Sequence, residues 1–268
     1  MDAFGVGRRT ADAAETRTAN RGWWDAEAVA YYAEHGDFLG DRELVWGPEG
    51  LTESELGLLG SLSGRDVLEI GSGAAQGGRY AAARGARVVS TDLSAGMLRQ
   101  AAAIDARAGA LLPLAQCDAT ALPFPGATFD LVFTAYGAVP FVADSAAVMA
   151  EATRVLRPGG RFVFSTTHPI RWAFPDAPGP EGLVADRSYF DRTPYVEEGD
   201  DGTATYVEHH RTLGDRVREI AGAGLTLVDL VEPEWPARNT AVWGGWSPTR
   251  GRIIPGTAIF VAEKPVDH

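Results

Sequence analysis

The chain has 268 residues, 45% of them hydrophobic, and a formal net charge of -12. That length buries a large core and fits one α/β domain with extensions. The absence of a basic cluster argues against nucleic acid and anionic membranes as partners. A single cysteine, Cys117, excludes an intramolecular disulfide and a Cys-rich metal site.

Residues 1–20 are polar and offer little apolar surface to offset the entropy of ordering, which predicts a disordered tail. This N-terminus has no apolar signal segment and no membrane-length apolar run follows, so a cytoplasmic location is expected. An aromatic-rich helical pattern runs over 23–39, with Asp25 as its expected cap. Thr52 and Glu55 have the spacing of a capping box for a short helix, and residues 21–60 together read as a helical lid. Strands and helices then alternate. Strands are predicted over 66–70, 87–91, 112–116, 129–134 and 161–165. Helices follow the glycine loop after Ile70, open at Ser94, and run over 145–156, where Arg157-Pro158-Gly159-Gly160 is a stop signal. Such alternation implies a parallel sheet with helices on both faces. Residues 168–211 break the rhythm as a Pro-, Gly- and aromatic-rich insertion, in which 194–197 and 203–208 flank a turn and predict a β-hairpin. Thr212 and Asp215 cap a further helix, and 225–231 and 257–263 are the last strands. Residues 21–268 read as one domain.

The strongest local signal is Val67-Leu68-Glu69-Ile70-Gly71-Ser72-Gly73, a buried strand running into a glycine turn. Glycines there let the backbone approach a ligand without a Cβ clash, and the next helix aims its N-terminal N–H groups at the same spot. Asp92, at the end of the next strand, can accept hydrogen bonds from both ribose hydroxyls of an adenosine cofactor, or it can merely cap the helix at Ser94. Loop and acid suit a nicotinamide dinucleotide or S-adenosylmethionine (SAM). The third glycine of the dinucleotide fingerprint is replaced by Gln76, and Glu69 stands two residues before the first glycine.

On these residues the chain resembles the class I SAM-dependent methyltransferase family, in its broad type-11 group. Glu69, Gly71 and Gly73 match the first motif, E/D-x-G-x-G, and Asp92 matches the ribose-binding acid. Cys117-Asp118-Ala119 with Leu122-Pro123-Phe124 resembles the motif ending the third strand. There the Asp contacts the adenine amino group and the next residue gives a backbone contact. Phe129-Asp130-Leu131-Val132 resembles the fourth strand, with Tyr136 and Gly137 where the acceptor pocket begins. Leu156-Arg157-Pro158-Gly159-Gly160 resembles the turn before the fifth. The resemblance implies a Rossmann-like fold: a seven-stranded, mostly parallel sheet with an antiparallel last strand, an N-terminal helical lid and an inserted β-hairpin. It implies SAM as cofactor, S-adenosyl-L-homocysteine as product, and cofactor contacts from Glu69, Gly71, Ser72, Gly73, Asp92, Leu93, Asp118, Ala119 and Tyr136. Tyr31 of the lid is added as a contact. One position departs from the family: Ala75 stands where a third glycine is common, and it is strained if φ there is positive.

The methyl of SAM sits on a sulfonium, so aligning acceptor, methyl and sulfur is the main task. A hydroxyl acceptor also needs a base suited to neutral pH. Candidate bases are His168, at the crevice end of the fifth strand, and His210, since one of the pair His209-His210 faces inward. No metal is expected. Trp23, Trp24, Tyr31 and Tyr32 are too many large rings for a solvated helix, and serve core packing or ligand contact. Trp243-Gly244-Gly245-Trp246 either plugs a sheet edge or walls the acceptor pocket. The hairpin is a second lid or the arm of a homodimer. The expected function is methyl transfer to an oxygen of a hydroxylated small metabolite, a sugar or an aromatic. The alternatives are N-methylation of a small amine, a non-catalytic SAM-binding protein, and a NAD-linked oxidoreductase.

Overall fold

The computed structural model describes residues 5–266. In chain order come β1 (Gly5–Arg8), α1 (Ala13–Leu39), α2 (Glu53–Leu56), β2 (Asp66–Ile70), α3 (Gln76–Ala82), β3 (Arg87–Asp92), α4 (Ala95–Ala108), β4 (Leu114–Gln116), β5 (Phe129–Ala135), α5 (Ser145–Val155), β6 (Leu156–Thr167), β7 (Tyr195–Glu198), β8 (Ala204–Glu208), α6 (Leu213–Gly222), β9 (Thr226–Val231), α7 (Pro248–Gly251) and β10 (Thr257–Glu263). Seven strands form one sheet in the order β4-β3-β2-β5-β6-β10-β9. The pairs from β4 to β6 are parallel, and β10 runs antiparallel between β6 and β9. The alternation predicts the parallel part of this sheet, and the family resemblance implies the antiparallel last strand.

Both faces of the sheet are covered, so its central strands are mostly apolar on both sides. Side chains alternate between the faces. Leu68, Val132, Phe162, Phe164 and Phe260 pack toward Val148, Met149 and Ile220 of α5 and α6. Val67, Leu131, Phe133, Val163 and Ile259 pack toward Trp46, Leu59 and Tyr80.

The N-terminal region differs from expectation. The tail predicted to be disordered over 1–20 is ordered from Gly5 onward; residues 1–4 lie outside the described residues. β1 pairs antiparallel with β7, extending the hairpin β7–β8 into a three-stranded sheet. α1 begins at Ala13, where the Asp12 carboxylate accepts from the N–H groups of Ala14 and Glu15 at 2.9 and 2.8 Å. The segment finds its partners almost two hundred residues away. Ala19 packs with Val196, Ala204 and Val207, Arg9 bridges Glu15 and Glu198, and the Asn20 side chain bonds both N–H and C=O of Val207. Local composition carries no trace of such distant burial. Asp25, expected to cap its own helix, sits inside it and caps α4 instead, accepting from Ser94 Oγ and Gly96 N at 2.7 Å each. The capping boxes at Thr52 and Thr212 form as predicted. α5 ends at Val155, before the 157–160 stop signal as predicted, but β6 begins at Leu156, earlier than the expected 161, and runs through Gly159 at φ 76.

Candidate active site

A cavity of about 650 Å³ opens at the C-terminal ends of β2, β3, β5 and β6, roofed by α1, β8 and the loop at Trp243. Ligand crevices of open α/β sheets lie at this end. Its floor begins at the glycine turn, where Gly71 and Gly73 have φ 60 and 53. The turn after β5 packs against it backbone to backbone. A Cβ on Gly71 would stand 2.6 Å from Ala138 N, and one on Gly137 would stand 2.4 Å from Gly71 O.

Asp92 accepts at the start of the helix near Ser94, one of the two roles the sequence offered. Its Oδ1 accepts from Ser94 N and its Oδ2 from Gly73 N, each at 2.8 Å, which ties the glycine turn to the start of α4. The carboxylate still lines the cavity. Burial pushes it up to about 6, against the stabilising backbone N–H groups. Glu69 is buried; its Oε2 accepts from Ser90 Oγ at 2.6 Å and Gly78 N at 2.9 Å. Burial pushes it up to about 7, so a positive charge placed beside it gains an ionised partner. Asp118 accepts from Thr120 and faces Arg17 of α1 at 3.3 Å. Ser72 Oγ is buried with no hydrogen-bond partner among the described residues, and Ser72 lines the cavity.

These residues fit SAM: a paired acid for a ribose diol, an acid near the adenine edge, a buried carboxylate for positive charge and an orphaned hydroxyl awaiting a polar partner. Glu69, Gly71, Ser72, Gly73, Asp92, Leu93, Asp118, Ala119, Tyr136 and Tyr31 all line the one cavity. Tyr136 points its hydroxyl elsewhere, donating to Gly256 O at 2.9 Å beside Thr257 Oγ1 at 3.0 Å. Thr257 in turn donates to buried Glu49 at 2.6 Å. Those bonds hold a non-glycine residue at φ 54.

Ala75 has φ 59 and caps α3, the strained case. A left-handed alanine costs about 1–2 kcal/mol, partly offset because glycine is more disordered when unfolded. Ala75→Gly is expected to stabilise the protein by about 0.5–1 kcal/mol. A rise in the urea midpoint at unchanged slope checks it; a fall would show that the strain is not relieved.

The two candidate bases are corrected by the structure. His168 is buried outside the cavity lining, with Nε2 at 2.8 Å from Glu232 Oε1 and Nδ1 accepting from Ile170 N. His210 is fully buried, with Nε2 at 2.7 Å from Tyr189 O and its ring beside Trp172. Neither is among the residues that line the cavity. The reason is local. β8 ends at Glu208, so strand alternation stops before the histidine pair, and the chain turns there into the cap of α6. His209 also faces inward, 3.0 Å from Thr16 Oγ1. Burial pushes both His209 and His210 down to about 4. Among the described residues His35 is the one histidine that lines the cavity, stacked on Trp243 at 4.5 Å.

Sequence reading missed the polar groups beyond the cofactor end. Tyr206 and Glu208 share the inner face of β8, and the Tyr206 hydroxyl donates to Glu208 Oε1 at 2.5 Å. Arg171, in the turn after β6, pairs with Asp176 at 3.0 Å. All four line the cavity. The i, i+2 spacing of Tyr206 and Glu208 was a usable signal; nothing in the sequence connected them to Arg171. Aromatic rings wall the space between: Trp23 lies 5.1 Å from Tyr206, and Trp24 5.8 Å from Phe141. The Trp243–Trp246 loop is part of the wall.

The strand order, the reversed penultimate position of β10 and a glycine turn facing a ribose-type acid give a Rossmann-like fold similar to that of class I SAM-dependent methyltransferases. Residues 68–164 match the model of the methyltransferase domain family. A demethylmenaquinone methyltransferase of Streptomyces avermitilis is 39% identical over 108 residues, 40% of this chain and 44% of that protein. An uncharacterized protein of Mycobacterium tuberculosis is 40% identical over 94 residues, 35% of this chain and 34% of that protein. The matched part of the chain thus spans a third to under half the length of these relatives. In three dimensions the chain is similar to a SAM-dependent methyltransferase from Mesorhizobium loti, with TM-score 0.62 and 27% identity over 78% of this chain and 95% of that one. Among the described residues no helix is long and apolar enough to cross a membrane.

Proposed function

We propose that this protein is an enzyme that transfers the methyl group of SAM to a small acceptor built on a flat ring. One observation carries the reading: the ten cofactor-type residues and an aromatic-walled chamber belong to the same cavity. The cofactor supplies an electrophilic methyl on a sulfonium. The chain's own residues do the rest. Asp92 holds the ribose, Asp118 the adenine edge and Glu69 the positive charge. Trp23, Trp24 and Phe141 stack on and orient the acceptor, and α1 keeps water from the chamber; such orientation is the main source of rate in methyl transfer.

An oxygen acceptor remains the first reading, with its support moved from histidine to Glu208, whose carboxylate can accept the hydrogen of the acceptor's hydroxyl. N-methylation of a small amine is the second reading. It is favoured by the cavity's charge, since among the described residues eight carboxylate side chains line it against one guanidinium. The relative from Streptomyces avermitilis is named for demethylmenaquinone, and its match covers 40% of this chain.

Calorimetric titration with S-adenosylhomocysteine tests the cofactor assignment. Tight binding to the wild type is expected, with none for NAD. Asp92→Ala, which removes charge-assisted bonds to the ribose, is expected to weaken binding roughly tenfold or more. A wild type that fails to bind S-adenosylhomocysteine would sink the proposal.

A further inference from the structure

The polar groups of the chamber lie outside the segment that matches the family model, which ends at residue 164. Arg171, Asp176, Tyr206 and Glu208 come from the insertion that follows β6 and from β8. They line one cavity as two pairs. Arg171 is paired with Asp176, Glu208 is oriented by the Tyr206 hydroxyl, and Glu208 and Asp176 together sustain the Arg171 charge against the burial that opposes it. The pairing with Asp176 runs through Nη2, and a guanidinium carries further N–H donors in the same plane. Glu208 receives the Tyr206 hydroxyl on Oε1, and a carboxylate has lone pairs to spare. Donor and acceptor therefore line the same aromatic-walled cavity, close enough for the Glu208 charge to act on Arg171. The surrounding charge is strongly negative, because among the described residues Arg171 is the one guanidinium beside eight lining carboxylates.

We propose that these groups select the acceptor: an uncharged planar ring with a hydrogen-bond donor and a hydrogen-bond acceptor adjacent on one edge, as in a ring lactam or its hydroxyl tautomer. Glu208 takes the donor and Arg171 the acceptor. Rings bearing a carboxylate or phosphate are rejected, because Arg171 is already neutralised by Asp176 and Glu208, and the remaining field repels anions. The proposal rests on the methyltransferase reading of the same cavity.

The test uses the full chain saturated with S-adenosylhomocysteine and titrated with 2-quinolone, with N-methyl-2-quinolone, which lacks the donor, and with 2-quinolone-4-carboxylate. Binding is followed by calorimetry and by quenching of tryptophan emission. The wild type is expected to bind 2-quinolone at least tenfold more tightly than either comparison ligand. Glu208→Gln is expected to erase most of the preference over the N-methyl ligand and relax the rejection of the carboxylate. Arg171→Gln is expected to weaken 2-quinolone about tenfold. Affinity for S-adenosylhomocysteine and Tm should stay near wild type in Glu208→Gln, which separates selection from folding. No binding of 2-quinolone, equal binding of the carboxylate, or a preference indifferent to Glu208→Gln overturns the inference while leaving the cofactor assignment standing. Failure of S-adenosylhomocysteine to bind removes both.

Discussion

Gly137→Ala is expected to lower affinity for S-adenosylhomocysteine by up to roughly a hundredfold while leaving a folded protein. Gly137 does not have a positive φ; its constraint is space. A methyl group there would sit 2.4 Å from Gly71 O and 2.7 Å from Thr134 Oγ1, far inside van der Waals contact. Overpacking of this kind costs about 1–3 kcal/mol through displaced backbone, and the displaced backbone is the glycine turn. Gly73 N would then lose its 2.8 Å bond to Asp92, so loop and ribose acid go out of register together. Borne by the binding-competent turn, that cost of about 1–3 kcal/mol lowers affinity by up to roughly a hundredfold. Calorimetry with S-adenosylhomocysteine checks the affinity, and circular dichroism checks the fold. Wild-type affinity would mean that the turn after β5 yields without moving Gly71, and the proposed coupling of the two turns would be wrong.

Arg79→Leu is expected to destabilise the protein by about 3–5 kcal/mol, the usual result of removing one partner from a buried ion pair. The Arg79 side chain is 1% exposed and its partner Asp105 6% exposed, at 2.8 Å. The same guanidinium donates to Asp41 O at 2.6 Å and to Ala74 O. One side chain therefore joins α3, α4, the segment after α1 and the glycine turn. Its loss leaves a buried carboxylate without a counter-charge and two carbonyls without donors. For a chain of this size, Tm should fall by roughly 10 °C. Replacing Asp105 with Asn in the same protein should recover part of the loss, because the orphaned charge is its largest component. Thermal unfolding of the two variants decides the point, and an unchanged Tm in Arg79→Leu would refute the assignment.

The seven-stranded sheet was legible because its code is local. Apolar runs such as Val67-Leu68-Glu69-Ile70, separated by helices with capping residues, specify strands, direction and layers with little reference to the rest of the chain. Cofactor residues were legible for a related reason. Gly71, Gly73, Asp92 and Asp118 all stand at strand ends, where the alternation already places them at one edge of the sheet.

What could not be read depends on contacts between distant segments. Residues 5–20 look unable to fold, yet they are ordered because Ala19, Thr16 and Arg9 meet β7, β8 and His209. His168 and His210 have the right chemistry and plausible positions, but burial against Glu232 and Tyr189 removes them from the cavity. Arg171 and Glu208 gave no sign of belonging together, since the chain between them, nearly forty residues long, follows no strand–helix rhythm. Local composition and periodicity are enough for the sheet and its cofactor edge, where neighbours in sequence are neighbours in space. The acceptor chamber is made by α1, β8 and two loops meeting from opposite ends of the chain, and the burial and pairing that meeting creates are written at no single position.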